Sequence, residues 1–305
     1  MRRYVKPLFL PAPPLDGLVL AIDIGGTRVR TAVVDGAGTV HHRRETPTPG
    51  DAAKLVEEVV SEARALLRPG LLAIGVSAPG PLDRASGAIE VSANLPAVPL
   101  AEPLGALGPP VVVERDTNVA ALGEGTFGAA RGAEDFSYVT VSTGIGASIV
   151  YGGRLLTGVH GYAGELGHFP VDPGGPRCGC GNHGCLEALA SGSGIAAAGG
   201  VPAPTVAARE LEGDASAAAI MERARTAFAA GLVGLVNAYD PGLVVVGGGV
   251  AEGQGERLLD PARRAVRRHA YGAAARDTRI VPAALGADGG LLGAIPLVAL
   301  SRTQW

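Results

Sequence analysis

The chain of 305 residues lacks the features that mark several classes of protein. Its three cysteines are too few, and odd in number, for the paired framework of a disulfide-rich secreted domain. No apolar run approaches the roughly 18 residues of a membrane-spanning helix. The apolar stretch in MRRYVKPLFLPAPPLDG is interrupted by prolines and is too short for the core of a signal peptide. We therefore expect a cytoplasmic protein with no membrane partner.

The composition also lacks an excess of positive charge. The formal net charge is −3 and the basic residues are dispersed, so nucleic acid is not an expected partner. Lysine, asparagine, glutamine and methionine are scarce, a bias that thermophilic proteins share with proteins from GC-rich genomes. A hydrophobic content of 47% with 18% charged residues is typical of a globular protein, and the length predicts two domains.

Two similar hairpins open the two halves of the chain. Leu18 to Ile24 has the pattern of a buried strand, and a glycine turn joins it to the β-rich run from Val29 to Val34. The same pattern recurs from Tyr138 to Ser142 and from Ala147 to Tyr151. This repeat predicts two related α/β lobes with a cleft between them.

We place the boundary between the predicted lobes after residue 115. Residues 1–115 would form a small N-terminal lobe, which a C-terminal helix at about 290–305 would complete. Residues 116–289 would form a large lobe that contains all the cysteines. The stretch from Ala78 to Pro110 is rich in proline and glycine and is expected to supply loops and connectors.

The three cysteines lie together in the segment CGCGNHGC. Cys178, Cys180 and Cys185 form a thiolate cluster that needs one more soft ligand to complete a tetrahedron. The nearest good candidate is His168, ten positions before the first cysteine, and His183 is the alternative. A disulfide is not expected, because Cys178 and Cys180 are too close in sequence to bridge comfortably. The segment therefore predicts a structural zinc site.

Two carboxylates flank this predicted metal site. Glu165 and Glu187 each lie within three residues of a proposed ligand. On a helix, the i, i+3 spacing places the side chains of Glu165 and His168 on one face. The metal would then fix polar groups that are suited to binding a polyhydroxylated substrate.

The turn of the first hairpin predicts a phosphate site. Its sequence is DIGGT at 23–27, where glycine N–H groups can approach phosphate oxygens, Thr27 can donate, and Asp23 can hold Mg²⁺ through water. The carboxylate at the strand end, with no G-x-G-x-x-G after it, argues against a dinucleotide fold, and the chain has no P-loop motif. The turn at 143–146 is a candidate for a second phosphate clamp. The alternative for each turn is an ordinary tight turn.

Asp116 follows a β-rich run and begins a helical stretch, in VVVERDTNVAALGE at 111–124. One interpretation is that Asp116 caps the helix, for which its acceptor oxygen is well suited. The other is that it is a general base. Both stay open, since Thr117 and Asn118 can also cap.

Taken together, these motifs resemble the ROK family of bacterial sugar kinases and sugar-responsive repressors, within the actin-like ATPase superfamily. The resemblance extends from about Leu18 to Leu300. The residues that carry it are D-I-G-G-T at 23–27, S-A-P-G-P-L-D at 77–83, N-L-P at 94–96, D-T-N-V-A-A-L-G-E at 116–124, S-T-G-I-G at 142–146, G-E-L-G-H at 164–168, C-G-C-G-N-H-G-C-L-E at 178–187 and V-V-G-G-G at 245–249.

The resemblance implies roles for particular residues. The nucleotide-binding positions are Asp23, Gly25, Gly26, Thr27, Arg28, Thr143, Gly144, Gly247, Gly248 and Gly249. The sugar-contacting positions are Gly80, Asn94, Arg115, Asp116, Glu165, His168 and Glu187, and Asp116 is the implied catalytic base. The implied zinc ligands are His168, Cys178, Cys180 and Cys185, with His168 binding zinc through one ring nitrogen and a sugar hydroxyl through the other.

The resemblance also implies a fold and a reaction. The fold would be two actin-like ATPase (ribonuclease H-like) α/β lobes with an interlobe cleft and a structural zinc site. The reaction would be phosphorylation of a primary hydroxyl of a hexose by ATP with Mg²⁺, at O6 of glucose. N-acetylmannosamine, N-acetylglucosamine, fructose or a cyclitol are alternative substrates, and polyphosphate is an alternative donor. A homodimer or homotetramer is the implied assembly.

A sugar-sensing repressor is the rival interpretation from another class. The repressors of this family carry a helix-turn-helix domain before the D-I-G-G-T loop, which begins here at residue 23. We therefore expect the kinase. A sugar-binding protein without catalysis is disfavoured because Asp23 and Asp116 are both present.

Arg115 departs from the family pattern, which has asparagine immediately before the catalytic aspartate. A guanidinium donates hydrogen bonds but accepts none, so it cannot replace an amide carbonyl toward a sugar hydroxyl. One hypothesis places Arg115 on the surface, paired with Glu114 or Glu124. The other places it in the sugar pocket, where it would suit an N-acetylated or phosphorylated sugar. The surface hypothesis is the one we adopt from the sequence, because a cation beside Asp116 would weaken it as a base.

Overall fold

The computed structural model describes residues 10–83, 86, 88–89 and 98–302. The chain forms two compact units. The first contains the described residues up to Glu134, Gly152–Ala163 and those from Ala287 onward, and the second contains Asp135–Tyr151 and Gly164–Gly286. Within the described ranges, no helix combines the length and the apolar character needed to cross a bilayer.

The described strands, in chain order, are β1 (Leu18–Ile24), β2 (Arg28–Asp35), β3 (Val40–Pro47), β4 (Leu71–Ala78), β5 (Leu82–Asp83), β6 (Ala88–Ile89), β7 (Val98–Pro99), β8 (Val111–Arg115), β9 (Phe136–Val141), β10 (Ile145–Tyr151), β11 (Arg154–Leu156), β12 (Leu243–Gly247) and β13 (Arg279–Pro282). The described α-helices are α1 (Ala52–Ala65), α2 (Ala101–Gly105), α3 (Asp116–Phe127), α4 (Leu186–Ala190), α5 (Gly192–Gly199), α6 (Ala203–Leu211), α7 (Ala215–Tyr239), α8 (Gly249–Gln254), α9 (Glu256–His269), α10 (Ala274–Asp277), α11 (Gly289–Leu292) and α12 (Ala294–Arg302).

The first unit is built on a five-stranded sheet of order β3-β2-β1-β4-β8. β1 pairs antiparallel with β2 and parallel with β4, so it lies in the middle of the sheet. One face of β1 packs into a core through Leu20 and Ile22, which lie with Leu55 and Val59 of α1. Helices α11 and α12 also contact β1. Because α1 lies on one face of β1 and α11 and α12 also contact the strand, β1 is apolar almost throughout.

The second unit repeats this topology in a sheet of order β11-β10-β9-β12-β13. β9 and β10 form an antiparallel hairpin, and β12 runs parallel to both β9 and β13. These pairings match those of β1, β2, β4 and β8 in the first sheet. The repeat that the two hairpins predict is therefore confirmed.

Two sequence-based expectations need correction. The stretch predicted as loops between residues 78 and 110 contains a small three-stranded sheet of order β5-β6-β7 and the helix α2. The lobe boundary placed after residue 115 falls within the first unit, because α3 packs against α11 and α12.

Candidate functional site

In the first unit, the side chain of Asp23 lies at the end of β1 among polar groups. The Ser77 hydroxyl donates to Oδ1 of Asp23 at 2.7 Å, and Nη1 of Arg30 donates to Oδ2 at 3.3 Å. Burial raises the pKa of the Asp23 carboxyl, while the Ser77 bond and the Arg30 charge act in the opposite direction. Gly290 lies against this carboxylate, since a Cβ at that position would be only 2.3 Å from Oδ1.

The turn after β1 presents its backbone to solvent. Gly26 and Thr27 are exposed, and the turn is closed by the bond from the Gly25 N–H to the Arg28 carbonyl, at 2.8 Å. The hydroxyl of Thr48, which follows β3, supports the turn by donating to the Gly25 carbonyl at 2.7 Å. Exposed N–H groups beside a carboxylate that can carry a metal suit a phosphate site.

Arg28, the last predicted residue of this loop, extends into solvent. Its Nε lies 3.1 Å from Glu45 Oε1. Gly80 follows β4 with a φ of 78°. Asn94, a predicted sugar contact, lies outside the described residues.

Asp116 is the first residue of α3, and it is Arg115 that precedes the helix as its N-cap residue. The carboxylate of Asp116 accepts the N–H of Thr117 at 2.7 Å. Its position in the first turn is favourable for a negative charge, because the free N–H groups there make the helix start positive. The interpretation of Asp116 as the capping residue is therefore wrong, and its role as a general base stays a prediction.

Arg115 is buried, with 4% exposure, so the expectation of a surface arginine is wrong. Its Nη1 donates to two backbone carbonyls, those of Gly161 at 3.1 Å and Ala163 at 3.0 Å. Its Nη2 lies 3.4 Å from the hydroxyl of Thr117. Glu114, suggested as a surface partner, is also buried and accepts the side-chain amide of Asn118 at 2.9 Å.

In the second unit, the turn between β9 and β10 lies against Glu187. Oε2 of Glu187 accepts the N–H of Ile145 at 2.9 Å. Gly144 allows this approach, because a Cβ there would lie 2.6 Å from the same oxygen. Thr143 is exposed at the tip of the turn. The predicted second phosphate clamp and a predicted sugar contact are therefore direct neighbours.

The predicted metal ligands come together in the second unit. The ligand atoms of His168, Cys178, Cys180 and Cys185 all lie within 4.8 Å of one another. Nδ1 of His168 is 3.7 Å from Sγ of Cys178, and the same distance separates the sulfurs of Cys180 and Cys185. In a tetrahedral zinc site with ordinary bond lengths, such atoms are about 3.5–3.8 Å apart. The cluster therefore fits a tetrahedral metal ion.

The protonation of the thiols also bears on metal binding. Burial raises the pKa of Cys178, and burial with the neighbouring thiols raises the pKa of Cys185 to about 12. The N–H of Asn182 lowers the pKa of Cys180. Before metal binding, these two buried thiols are expected to be protonated, and a bound cation would displace the protons.

The two ring nitrogens of His168 face different groups. Nδ1 faces the thiols, while Nε2 lies 4.0 Å from Oε2 of Glu165. Residues 166–168 form a 3₁₀ helix, so the predicted i, i+3 neighbours do share one side of a turn. The alternative ligand His183 is exposed, and its Nδ1 lies 3.4 Å from the carbonyl of Gly175.

The glycine run at 247–249 joins β12 to α8. The N–H of Glu252 bonds the Gly248 carbonyl at 2.9 Å, so the turn passes directly into the first turn of the helix. A glycine turn at a helix start is suited to close approach by a polar ligand. This is the segment to which the resemblance gives the adenosine side of the nucleotide.

Sequence reasoning missed Ser77, Arg30 and Gly290 around Asp23. A signal for Arg30 existed, because it belongs to the second strand of the predicted hairpin, but using it requires the register of the pairing. Ser77 reaches Asp23 only through the pairing of β1 with β4. Gly290 is distant in sequence and carries no local signal.

Comparison with known proteins assigns the chain to a family. The model of the ROK family matches residues 19–300. The chain belongs to the ROK family. It is 33% identical to a glucokinase of Streptomyces coelicolor, over 92% of this chain and 97% of that protein. It is 37% identical to an N-acetylmannosamine kinase of Escherichia coli O157:H7, over 77% of this chain and 84% of that protein.

A solved structure supports the same assignment. The ROK family glucokinase of Streptomyces griseus, determined in complex with glucose and AMPPNP, superposes with a TM-score of 0.79 at 33% identity. The match covers 92% of this chain and 99% of that one. The predicted fold class is confirmed as a mixed α/β fold of the actin-like ATPase type, with a Cys/His cluster able to hold a metal.

The contacts of Arg115 predict a structural cost for its removal. Arg115→Asn would leave two backbone carbonyls without their donor, and an unsatisfied buried polar group costs about 1–3 kcal/mol. We expect the free energy of unfolding in urea to fall by about 2–3 kcal/mol. Arg131→Asn, at an exposed position, is the matched control and should change stability by less than about 0.5 kcal/mol. Equal stability of the two variants would contradict the role given to Arg115.

Proposed function

We propose that this chain is an ATP-dependent sugar kinase that converts glucose to glucose 6-phosphate. The observation that carries the proposal is the carboxylate of Asp116 at the start of α3, in a chain that matches a glucokinase over 92% of its length. The glucose and AMPPNP complex of the related Streptomyces griseus enzyme supports both substrates.

Asp116 is the proposed general base. Its carboxylate accepts the proton of the sugar's 6-hydroxyl as the oxygen attacks the γ-phosphorus, and ADP leaves on the opposite side. In a loose transition state this proton moves late, so an ordinary carboxylate is basic enough. The Thr117 N–H, at 2.7 Å, holds one carboxylate oxygen and so orients the group.

The nucleotide is assigned to the glycine turns. The proposed phosphate contacts in the turn after β1 are Asp23, Gly25, Gly26, Thr27 and Arg28. Thr143 and Gly144 are further proposed phosphate contacts, and Gly247, Gly248 and Gly249 are the proposed adenosine contacts. Magnesium, when bound, neutralises charge on the phosphates, and Asp23 would hold it through water.

The sugar is assigned to polar side chains that lie against neighbouring groups of the protein. Glu187 is held by the Ile145 N–H, and Glu165 lies beside Nε2 of His168. With Gly80 and Asn94, these side chains are the proposed sugar contacts. Arg115 remains a residue of the site, but we propose that it acts by holding the carbonyls of Gly161 and Ala163 rather than by touching the sugar.

We infer that the Cys/His cluster holds zinc. Three sulfurs and one imidazole nitrogen are a ligand set of structural zinc, and two of their separations, at 3.7 Å, match a tetrahedral site. Zinc would fix the ring of His168 through Nδ1 and leave Nε2 directed toward Glu165 and the sugar.

N-acetylmannosamine is the second candidate substrate. The observation that favours it is the 37% identity to N-acetylmannosamine kinases, which is higher than the 33% to glucokinases but extends over less of the chain. Glucose is preferred because the glucokinase match covers 92% of the chain against 77%.

The role of Asp116 is tested by Asp116→Asn. An amide cannot accept the proton, and a positioned base contributes about 10²–10⁴ in rate, so ADP release with glucose should fall by that factor. Glucose binding measured by calorimetry should persist. Asp277→Asn, an exposed aspartate at the end of α10, is the control and should keep full activity. Near wild-type turnover of Asp116→Asn would remove Asp116 from the role of base.

The metal assignment predicts one zinc ion per chain in protein purified without chelators. Cys178→Ala and His168→Ala should each lose most of the zinc and lower the melting temperature, because metal binding contributes to folding. His183→Ala is the matched control and should retain the metal. Elemental analysis that finds no zinc in the wild type, or equal loss in His183→Ala, would contradict the assignment.

A further inference from the structure

A row of polar side chains crosses the sheet of the first unit at the level of Asp23. Glu45 on β3 is the register partner of Arg30 on β2, Arg30 is the partner of Asp23 on β1, and Asp23 is the partner of Ser77 on β4. Directly opposed residues of adjacent strands lie on the same face of a sheet, with their Cβ atoms about 4.5–5.5 Å apart. The four side chains therefore stand side by side.

Hydrogen bonds join the members of this row. Nε of Arg30 donates to Glu45 Oε2 at 3.2 Å, and its Nη1 donates to Asp23 Oδ2 at 3.3 Å. The hydroxyl of Ser77 donates to the other oxygen of Asp23 at 2.7 Å. Gly290 closes the approach to Oδ1 from the side of α11. The carboxylate of Asp23 is thus held on both oxygens, and Arg30 is itself held by Glu45.

Arg30 differs from the other arginine pairs on this sheet. Arg44 on β3 makes a two-point ion pair with Glu62, at 2.6 and 2.9 Å, and its side chain is 49% exposed. Arg30 instead bonds Asp23, which lies at the start of the predicted phosphate turn, and its side chain is 24% exposed. Within the described part of the chain, Nη2 of Arg30 has no hydrogen-bond partner. Its N–H groups therefore remain available to donate to a ligand.

We propose that Arg30 is a positioning residue for the magnesium nucleotide, which fixes the carboxylate of Asp23 and places a positive charge at the phosphate turn. The inference rests on the proposed function, because it takes the turn after β1 as the phosphate site. A magnesium–ATP complex carries a net negative charge, so a guanidinium beside the turn favours its binding. A carboxylate that is already oriented loses no further freedom when it accepts the waters of the metal.

The test compares Arg30→Met, Arg30→Lys and Arg44→Met. Methionine keeps most of the side-chain length but removes the donors and the charge, and lysine keeps the charge without the two-point fork. Arg44→Met removes an arginine–carboxylate ion pair from the neighbouring strand without touching Asp23. Calorimetric titration with magnesium–AMPPNP measures nucleotide binding, and a separate titration with glucose measures sugar binding.

A charge-assisted hydrogen bond is strong enough to change affinity by about tenfold or more. The Kd for magnesium–AMPPNP should therefore rise about tenfold in Arg30→Met, rise less in Arg30→Lys, and stay unchanged in Arg44→Met. The Kd for glucose should be the same in all three variants. In the kinase assay, the KM for magnesium–ATP should rise more than kcat falls, a split that a general loss of stability would not produce.

Three results would overturn the inference. Wild-type affinity for magnesium–AMPPNP in a folded Arg30→Met variant would show that Arg30 does not position the nucleotide, while leaving the proposed function intact. Tighter binding in that variant would show that Arg30 competes for Asp23 instead of orienting it. If the wild-type chain does not bind magnesium–AMPPNP at all, the proposed function fails together with the inference. Should Arg30→Met unfold, Arg30→Lys decides between the first two results.

Discussion

The register between β1 and its two neighbours is the constraint on which the first unit depends. It places Asp23 opposite Arg30 on one side and Ser77 on the other. A slip by one residue would turn each of these side chains to the opposite face and would bring apolar residues to the phosphate turn. The apolar core on the α1 face and the packing of α11 and α12 oppose such a slip. Core packing thereby secures the position of the carboxylate that is proposed to hold magnesium through water.

In the second unit, the least regular segment is joined at its ends by the Cys/His cluster. Between the 3₁₀ turn at 166–168 and α4, the described backbone has only isolated bridges, such as Pro170 with Cys185. The Cys/His cluster joins the two ends of this segment, because His168 precedes it and Cys185 closes it. Glu187 follows in the first turn of α4 and reaches the β9–β10 turn. A metal ion at the cluster would therefore support the geometry of Glu165 and Glu187 as well as its own ligands.

Local sequence patterns predicted the parts of the fold that depend on local chemistry. Strand β1 and the two hairpins were predictable, because apolar runs and glycine turns are local signals. The metal ligands were predictable because three of the four lie within eight residues of one another. The family motifs supplied the nucleotide and sugar positions.

The features that escaped prediction depend on pairings that are distant in sequence. Arg30 contributes to the phosphate turn only through the register of β1 with β2. Arg115 was expected at the surface because a cation beside Asp116 would weaken that residue as a base, but the carbonyls of Gly161 and Ala163 satisfy its donors inside the protein. The membership of α3 in the first unit follows from its packing on α11 and α12, which are far along the chain.

The central claim is that the site transfers phosphate from ATP to glucose in preference to an N-acetylated hexosamine. A competition assay tests it most directly. The purified chain receives magnesium–ATP with equal, subsaturating concentrations of glucose and N-acetylmannosamine, and the sugar phosphates are resolved by chromatography during the initial rate. The account predicts that glucose 6-phosphate forms faster. Faster formation of N-acetylmannosamine 6-phosphate, or ATP consumption without either product, would contradict it.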